Sequence, residues 1–215
     1  MDDDGSIHIA WRKVFEGDIR DIVVSSSRDG GASFEPPVRV AEDNWQINGC
    51  PDVGPRIVSD GDRLAIAWYT MGADERVRVH LAFSADGGRS FSDALEASAG
   101  VVDATRPHLS AVPEGGAALV FQGREPDATG SWGRMRPYLV EVSAEGRVSP
   151  PAEIPGSVGS VSFPVVAAGR AGRIFASWTE TGEDGDQVVF ARGRRQSPDD
   201  LRSGPSNVPD PAARR

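Results

Sequence analysis

The sequence predicts an all-β protein built from repeated units of four short strands. Its 215 residues include 25 Gly and 16 Pro, a density that the interiors of helices do not tolerate. Val and Ile, which suit pleated and half-buried surfaces, number 23 and 9 against only 7 Leu. A short apolar run that ends in an aromatic residue also recurs along the chain, and this repeat sets the order of the predicted strands.

The repeat predicts the strands one by one. The apolar run ends at Trp11, Trp68, Phe121 and Trp178, with spacings of 57, 53 and 57 residues. A second strand-like run follows each aromatic residue, then a turn and a short segment, and a run that opens on proline precedes the next aromatic residue. Because proline lacks a backbone donor, it fits at the start or edge of a strand. Four antiparallel strands, which we name A to D in chain order, are typical of one blade of a β-propeller.

The repeat divides residues 1–195, a predicted propeller domain, into about four blades at 6–42, 43–98, 99–154 and 155–195. Strand A is missing from the first blade and strand D from the last, so both are expected to be incomplete. Residues 196–215 combine Pro, Ser, Asp and Arg without an apolar period, and we expect a disordered tail there. The abrupt acidic start favours the C-terminal part of a longer gene product, and a small ring closed by the two partial blades is the alternative.

Charge and composition argue against several classes of partner. A net charge of −9 and a pI near 4.8 disfavour nucleic acid and an anionic membrane surface. No run reaches the roughly 20 apolar residues of a membrane helix, and the acidic start lacks the features of a signal peptide. The single Cys50 rules out an internal disulfide. No second histidine or cysteine lies at metal-ligand spacing from His108, and we expect neither a metal nor a cofactor.

Two near-identical turns follow strand C of the first and second repeats. They are residues 27–34 (SRDGGASF) and 84–91 (SADGGRSF), and residues 143–146 (SAEG) are a decayed third copy. The motif Ser-x-Asp-x-Gly-x-Ser-Phe resembles the Asp-box, or BNR repeat, of the sialidase (neuraminidase) superfamily. In such a turn the carboxylate accepts backbone N–H bonds, the glycines supply positive φ, and we expect the aromatic ring to pack beneath the hairpin. The residues expected to have this structural role are Ser27, Asp29, Gly31, Phe34, Ser84, Asp86, Gly88 and Phe91.

The resemblance spans about residues 6–195, but it supplies no complete catalytic set. Sialidases are expected to bind the sugar carboxylate with three arginines and to use a tyrosine paired with a glutamate, plus an aspartate as acid/base. The Arg-Ile-Pro tripeptide of the family is absent, and Arg56-Ile57-Val58 matches only its first two residues. Tyr69 and Tyr138 lie in predicted strands, where packing is favoured over catalysis. The catalytic residues therefore stay unknown.

Candidate ligand residues lie in the loops that are expected to meet at the mouth of the central channel. The longest of these loops, residues 44–55, resembles a motif of uncharacterised secreted sialidase-like proteins. It predicts either a sugar platform on Trp45 with polar contacts from Asn48 and Asp52, or a packed loop in which Trp45 wedges two blades and Cys50 is a small hydrophobe.

Further candidates surround Pro107 at the entrance of the third blade. Arg106 and His108 flank this proline, and Arg124 is expected close to them. A solvated salt bridge between blades is the alternative role of these cations. The whole candidate set is Trp45, Asn48, Asp52, Arg56, Arg106, His108, Arg124, Glu125 and Glu180.

Together these features predict a sialidase-like propeller that is non-catalytic as this chain and that binds a glycan or a protein at its axial mouth. One alternative is a truncated exo-α-sialidase, a glycoside hydrolase that releases terminal sialic acid. Another is a structural module that completes a ring with another chain, including by self-association. Members of the family are often secreted or periplasmic, and the compartment of this chain stays open because no signal peptide is recognised.

Overall fold

The structure is a computed structural model that describes residues 5–124 and 133–195. The described residues form antiparallel β-sheets, with one 3-10 turn at Glu16–Asp18, and none of the sheets closes on itself. No helix among these residues has the length and apolar character needed to cross a membrane. The prediction of an all-β fold is confirmed. The expected disordered tail at 196–215 lies outside the described residues.

The first two sheets follow the order of the chain. The first sheet has three strands in the order β1-β2-β3, and the second has four in the order β4-β5-β6-β7. Their bounds are β1 Ile7–Val14, β2 Arg20–Ser27, β3 Val38–Arg39, β4 Arg56–Asp60, β5 Arg63–Thr70, β6 Arg78–Ser84 and β7 Leu95–Glu96.

The third and fourth sheets repeat this arrangement. The third has four strands in the order β8-β9-β10-β11, and the fourth has three in the order β12-β13-β14. Their bounds are β8 Val102–Ala111, β9 Ala117–Arg124, β10 Arg136–Val142, β11 Ala152–Glu153, β12 Ser160–Gly169, β13 Arg173–Gly182 and β14 Gly185–Arg194. Four-stranded antiparallel sheets are therefore confirmed, whereas a total of four blades stays a prediction.

The sheets are held together by apolar faces that stack in chain order. Ile22 and Val24 of the first sheet share a core with Ile66 and Trp68 of the second. A larger core joins the second sheet to the third, through residues such as Leu81 and Leu119, and a smaller one joins the third to the fourth, through Val166 and Ile174. Because side chains alternate along a strand, each middle sheet uses one face for the sheet before it and the other for the sheet after it.

The repeated aromatic residues all face the preceding sheet. Trp68, Phe121 and Trp178 are fully buried in these interfaces. Trp11 has the matching position in β1 but is only half-buried, because no described sheet precedes the first one. The burial of this aromatic position therefore depends on the neighbouring sheet rather than on its own strand.

The two Ser-x-Asp turns have the same hydrogen bonds. Asp29 accepts bonds from the Ser33 N–H at 2.9 Å and from the Ser33 hydroxyl, and the Ser27 hydroxyl donates to it at 2.8 Å. Ser27 in turn accepts the N–H of Gly31 at 2.9 Å. This glycine has a φ of 92°, in the left-handed region that favours glycine.

The second turn repeats the bonds of the first. Asp86 accepts the N–H groups of Arg89 at 3.0 Å and Ser90 at 2.9 Å, and Ser84 accepts the N–H of Gly88 at 2.9 Å. In the third, decayed turn the Ser143 hydroxyl accepts the N–H of Arg147 at 3.2 Å, although Glu145 replaces the aspartate. A serine hydroxyl thus closes the turn in all three copies.

The phenylalanines of the two turns differ in burial. Phe91 packs against the core between the first and second sheets. Phe34 is 42% exposed, so the expectation that it packs beneath its turn is wrong. The reason is positional, because Phe91 reaches the preceding sheet and Phe34 has no described sheet to reach.

We expect the Asp86→Ala variant to be less stable than the wild type. The change removes the acceptor for the N–H groups of Arg89 and Ser90. A net loss of about 1 kcal/mol is expected, which lowers the Tm by about 2–4 °C for a chain of this size. Differential scanning calorimetry measures this shift. The exposed Asp93, which follows the turn, gives the control variant Asp93→Ala. An unchanged Tm of the Asp86 variant would contradict the role of Asp86 in stabilising this turn.

The turn at Asp29 also predicts an acid-dependent loss of stability. Hydrogen bonds from Ser33 and Ser27 lower the pKa of the Asp29 carboxyl from 3.8 to about 2. Because the folded-state pKa lies below the unfolded one, the stabilisation is fully present above pH 3.8 and is lost as the pH falls towards 2. The Tm of the wild type should therefore fall more steeply through this range than the Tm of Asp29→Asn. If the Tm of the two proteins fell with pH at the same rate between pH 3.8 and 2, this role of Asp29 would be contradicted.

Candidate functional site

The third and fourth sheets share an irregular step close to their beginnings. The pairing register shifts between Thr105 and His108 in β8, and between Ser162 and Val165 in β12. At each step the residue before a proline has a left-handed backbone, with a φ of 55° at Arg106 and 54° at Phe163. Such a conformation costs a bulky residue about 1–3 kcal/mol, and strained residues of this kind cluster at functional sites. These two residues therefore mark the candidate site.

Both residues line one cleft that is formed by three sheets. The cleft is open to solvent and lies where the first halves of β4, β8 and β12 come together. Its lining residues are Asp52, Val53, Gly54, Arg56, Arg106, Pro107, His108, Phe163, Pro164 and Val165. Four residues of the predicted candidate set, namely Asp52, Arg56, Arg106 and His108, are brought together here.

Arg106 is fixed in the cleft from two sides. Its guanidinium carbon lies 4.3 Å from the centre of the Phe163 ring, and its Nη2 lies 3.0 Å from Oδ2 of Asp52. The stacking contact is worth about 0.5–1 kcal/mol at an exposed site. Asp52 is exposed and can be displaced at low cost, because surface ion pairs are worth at most about 1 kcal/mol. The guanidinium group of Arg106 is therefore held in one orientation and remains accessible from solvent.

His108 contributes a neutral imidazole to the same cleft. Burial lowers the pKa of this histidine, and the positive charge of Arg56 lowers it further. Its Nδ1 accepts the N–H of Val166 at 3.3 Å, which leaves the proton of the neutral ring on Nε2. The cleft thus combines two guanidinium groups, one imidazole and one exposed carboxylate.

The predicted sugar platform at Trp45 is wrong. Trp45 is only 4% exposed, the Arg12 guanidinium carbon lies 4.9 Å from its ring centre, and the Tyr69 ring meets it edge-on at 5.4 Å. Because Arg12 belongs to the first sheet and Tyr69 to the second, Trp45 wedges these two sheets, as the alternative interpretation expected. Asn48 and Cys50 are exposed on the same loop, so Cys50 is not a buried hydrophobe.

Two other candidates have structural contacts. Arg124 donates from Nε to Asp103 at 3.0 Å and from Nη1 to the carbonyl of Gly133, so its ion pair lies within the third sheet rather than between sheets. Glu125 lies outside the described residues.

Glu180 is 1% exposed and accepts the N–H groups of Val158 at 3.1 Å and Gly159 at 3.0 Å. Burial raises the pKa of Glu180, but these hydrogen bonds outweigh it and hold the pKa below its ordinary value.

Sequence reasoning missed Asp43, which is one of the most interconnected carboxylates of the molecule. Its Oδ2 accepts the indole N–H of Trp68 at 2.6 Å, and its Oδ1 lies 3.0 Å from Nδ1 of His80. Burial raises the pKa of Asp43, but the hydrogen bonds from His80 and Trp68 lower it by more. Oε2 of Glu180 likewise accepts the indole N–H of Trp178 at 3.4 Å. The sequence signal for such an acceptor is the recurring tryptophan, because the N–H of a buried indole requires a hydrogen-bond partner.

The two tyrosines are packed rather than presented to the cleft. Tyr138 is buried and its ring stacks on Phe121 with 5.6 Å between the ring centres. Burial raises the pKa of Tyr69, which the charge of Arg12 offsets only in part. Within residues 5–124 and 133–195, no three His, Cys, Asp or Glu side chains are grouped closely enough to hold a metal ion.

Solved structures with a similar fold were found at low sequence identity. A protein of unknown function from Dyadobacter fermentans matches with a TM-score of 0.60 and 14% identity, covering 88% of this chain and 50% of that chain. A Hadza microbial sialidase matches with a TM-score of 0.57 and 18% identity, covering 91% and 45%. The intramolecular trans-sialidase from Ruminococcus gnavus matches with a TM-score of 0.55 and 13% identity, covering 93% and 42%.

These likenesses define the class of fold. The chain has a sialidase-like β-propeller fold, and it spans about half the length of the structures that it resembles. No protein-family model matches the chain, and no curated protein matches it.

We expect the Asp43→Asn variant to be destabilised by about 1–3 kcal/mol. Trp68 and His80 contact different oxygens of the Asp43 carboxylate, and an amide has only one oxygen, so one buried polar group would be left without its hydrogen bond. The matched control is Glu42→Gln, which changes the same charge at the neighbouring exposed residue and is expected to cost at most about 1 kcal/mol. Urea unfolding followed by tryptophan fluorescence measures both. Equal midpoints for the two variants would contradict this role of Asp43.

Proposed function

We propose that this chain is a sialidase-like propeller module that binds an acidic glycan at the axial mouth and does not hydrolyse it. The four sheets are blades of the propeller, and the turns at Asp29 and Asp86 are its Asp-boxes. The binding site is the cleft of Arg56, Arg106 and His108. The single observation that carries this proposal is the strained, stacked and oriented state of Arg106.

The chemistry of the cleft favours a carboxylate ligand. A planar guanidinium pairs with both oxygens of a carboxylate, and charge-assisted bonds of this kind are about twice as strong as neutral ones. Arg56 adds a second positive charge, and His108 supplies a neutral donor at Nε2. Phe163 is exposed beside Arg106 and offers an apolar surface for the C–H groups of a sugar ring.

The same cleft is poorly equipped for glycoside hydrolysis. Among the residues that line it, Asp52 is the one carboxylate, and none is a tyrosine. A tyrosine nucleophile also needs a neighbouring base, because its ordinary pKa is near 10. The raised pKa of Tyr69 moves that phenol further from activation. A binding role therefore suits these residues better than a catalytic one.

Sialyllactose and neutral lactose form a matched pair of probes for this proposal. We expect isothermal titration calorimetry to detect sialyllactose binding and no lactose binding by the wild type. Arg106→Ala should weaken the binding of sialyllactose about 10- to 100-fold, since a hydrogen bond to a charged group contributes about 1.5–3 kcal/mol. Arg106→Lys should recover only part of the loss, because lysine offers a point charge instead of a fork.

Asp52→Asn should strengthen sialyllactose binding several-fold, since it removes the carboxylate that pairs with Arg106. Asp60→Asn is the matched control, because Asp60 is exposed at the opposite end of β4 from Arg56. Equal binding of lactose and sialyllactose, or no effect of Arg106→Ala, would overturn the proposed site. Turnover of a fluorogenic sialoside by the wild type would instead support the alternative of an exo-α-sialidase.

A further inference from the structure

One face of β9 ends in a buried polar residue. Ala118 and Val120 lie on the face that packs on the fourth sheet, and Gln122 is the next residue along the strand that points the same way. Gln122 is only 7% exposed. Because burying an amide without a hydrogen bond is costly, this side chain requires a partner.

The partner of Gln122 is the backbone of the fourth sheet at its irregular step. Phe163 and Pro164 fall at the break in the pairing of β12 with β13. The N–H of Phe163 donates to Oε1 of Gln122 at 2.9 Å. A side chain of the third sheet therefore binds the backbone of the fourth sheet at the residue where the register of that sheet changes.

The backbone of Phe163 needs this support. Its φ of 54° lies in the left-handed region, which a bulky residue keeps only where the surrounding structure holds it there. Gln122 holds it at the N–H, and His108 accepts the N–H of Val166 at 3.3 Å on the far side of the proline. Two side chains of the third sheet thus fix the path of β12 on both sides of the break.

The path of β12 decides where the Phe163 ring lies. The residue is 57% exposed, so the direction of its ring depends on the backbone more than on surrounding side chains. The guanidinium carbon of Arg106 lies 4.3 Å from the centre of this ring. Gln122 is not among the residues that line the cleft, yet it is linked to Arg106 through Phe163 alone.

A second hydrogen bond of the same kind lies away from the cleft. Oγ of Ser110 in β8 accepts the N–H of Ala168 in β12 at 3.1 Å. Ser110 joins the same two sheets as Gln122, but neither it nor Ala168 lines the cleft. Ser110 therefore provides a matched control for any effect that comes only from loosening the contact between these sheets.

We propose that Gln122 is a positioning residue of the cleft, because it holds Phe163 in the conformation that stacks its ring on Arg106. Without this acceptor Phe163 can leave the stacked arrangement, and a ligand then binds only the fraction of molecules that keep it. The consequence for ligand binding rests on the proposed function, whereas the link from Gln122 to Arg106 does not.

The first experiment follows the free protein by NMR. In the wild type the N–H of Phe163 should exchange with deuterium at least about 10-fold more slowly than an unprotected amide, although its side chain is exposed. The Phe163 ring should also displace the resonances of the Arg106 side chain. Gln122→Met, which offers only a weak acceptor, should lose both signatures. Gln122→Glu keeps an oxygen at this position and should retain them.

Ser110→Ala is the control in the same experiment and should retain both signatures of the wild type. An unprotected Phe163 N–H in the wild type would overturn the proposal, and this measurement needs no variant. Arg106 resonances that are the same in Gln122→Met and in the wild type would overturn it as well. Circular dichroism verifies that each variant is folded.

The second experiment measures sialyllactose binding by isothermal titration calorimetry. Gln122→Met should weaken this binding about 3- to 10-fold, and Ser110→Ala should change it less than about twofold. Equal weakening by both variants would overturn the proposal, since it would assign the effect to the contact between the sheets and not to the position of Phe163. If the wild type bound no sialyllactose, the proposed function would fail, and the NMR signatures would still decide the role of Gln122.

Discussion

The stacking of each sheet on its predecessor is the constraint on which the rest of the structure depends. Trp68, Phe121 and Trp178 are each fully buried in the contact with the preceding sheet. Ala65 and Ala118 lie on the opposite faces of their strands, in the cores that join their sheets to the following ones. The cleft results from the same stacking, because residues at the beginnings of strands from three successive sheets line it.

Much of the fold follows from local sequence patterns. The aromatic spacing and the turn residues locate the strands, because a Ser-x-Asp turn satisfies its own backbone groups without help from distant residues. Burial is harder to predict, as Phe34 and Phe91 illustrate. Their turns are nearly the same in sequence, yet their environments differ because, among the described residues, a sheet precedes only the turn of Phe91.

The candidate site was predictable only in part. Arg106 and His108 were recognisable because they flank the proline at the start of a repeat, and they line the cleft. The partner of Arg106 in the stacking contact, Phe163, was not recognisable, since it is distant in sequence and its exposure depends on a shift of register. Trp45 was misjudged for a related reason. A long loop rich in polar residues suggests an open surface, whereas Arg12 and Tyr69 occupy both sides of its ring.

The acceptors of the two tryptophan N–H groups have a consequence for how such repeats can be recombined. Glu180 lies two residues after Trp178 on the same strand, so a fragment that carries the tryptophan carries its acceptor. Asp43 lies 25 residues before Trp68, ahead of β4 in the loop that leads out of the first sheet. A duplication or a designed graft that began at β4 would transplant an indole with no acceptor. The modular boundary of the second repeat therefore lies upstream of its first strand, whereas in the fourth repeat the tryptophan and its acceptor share one strand.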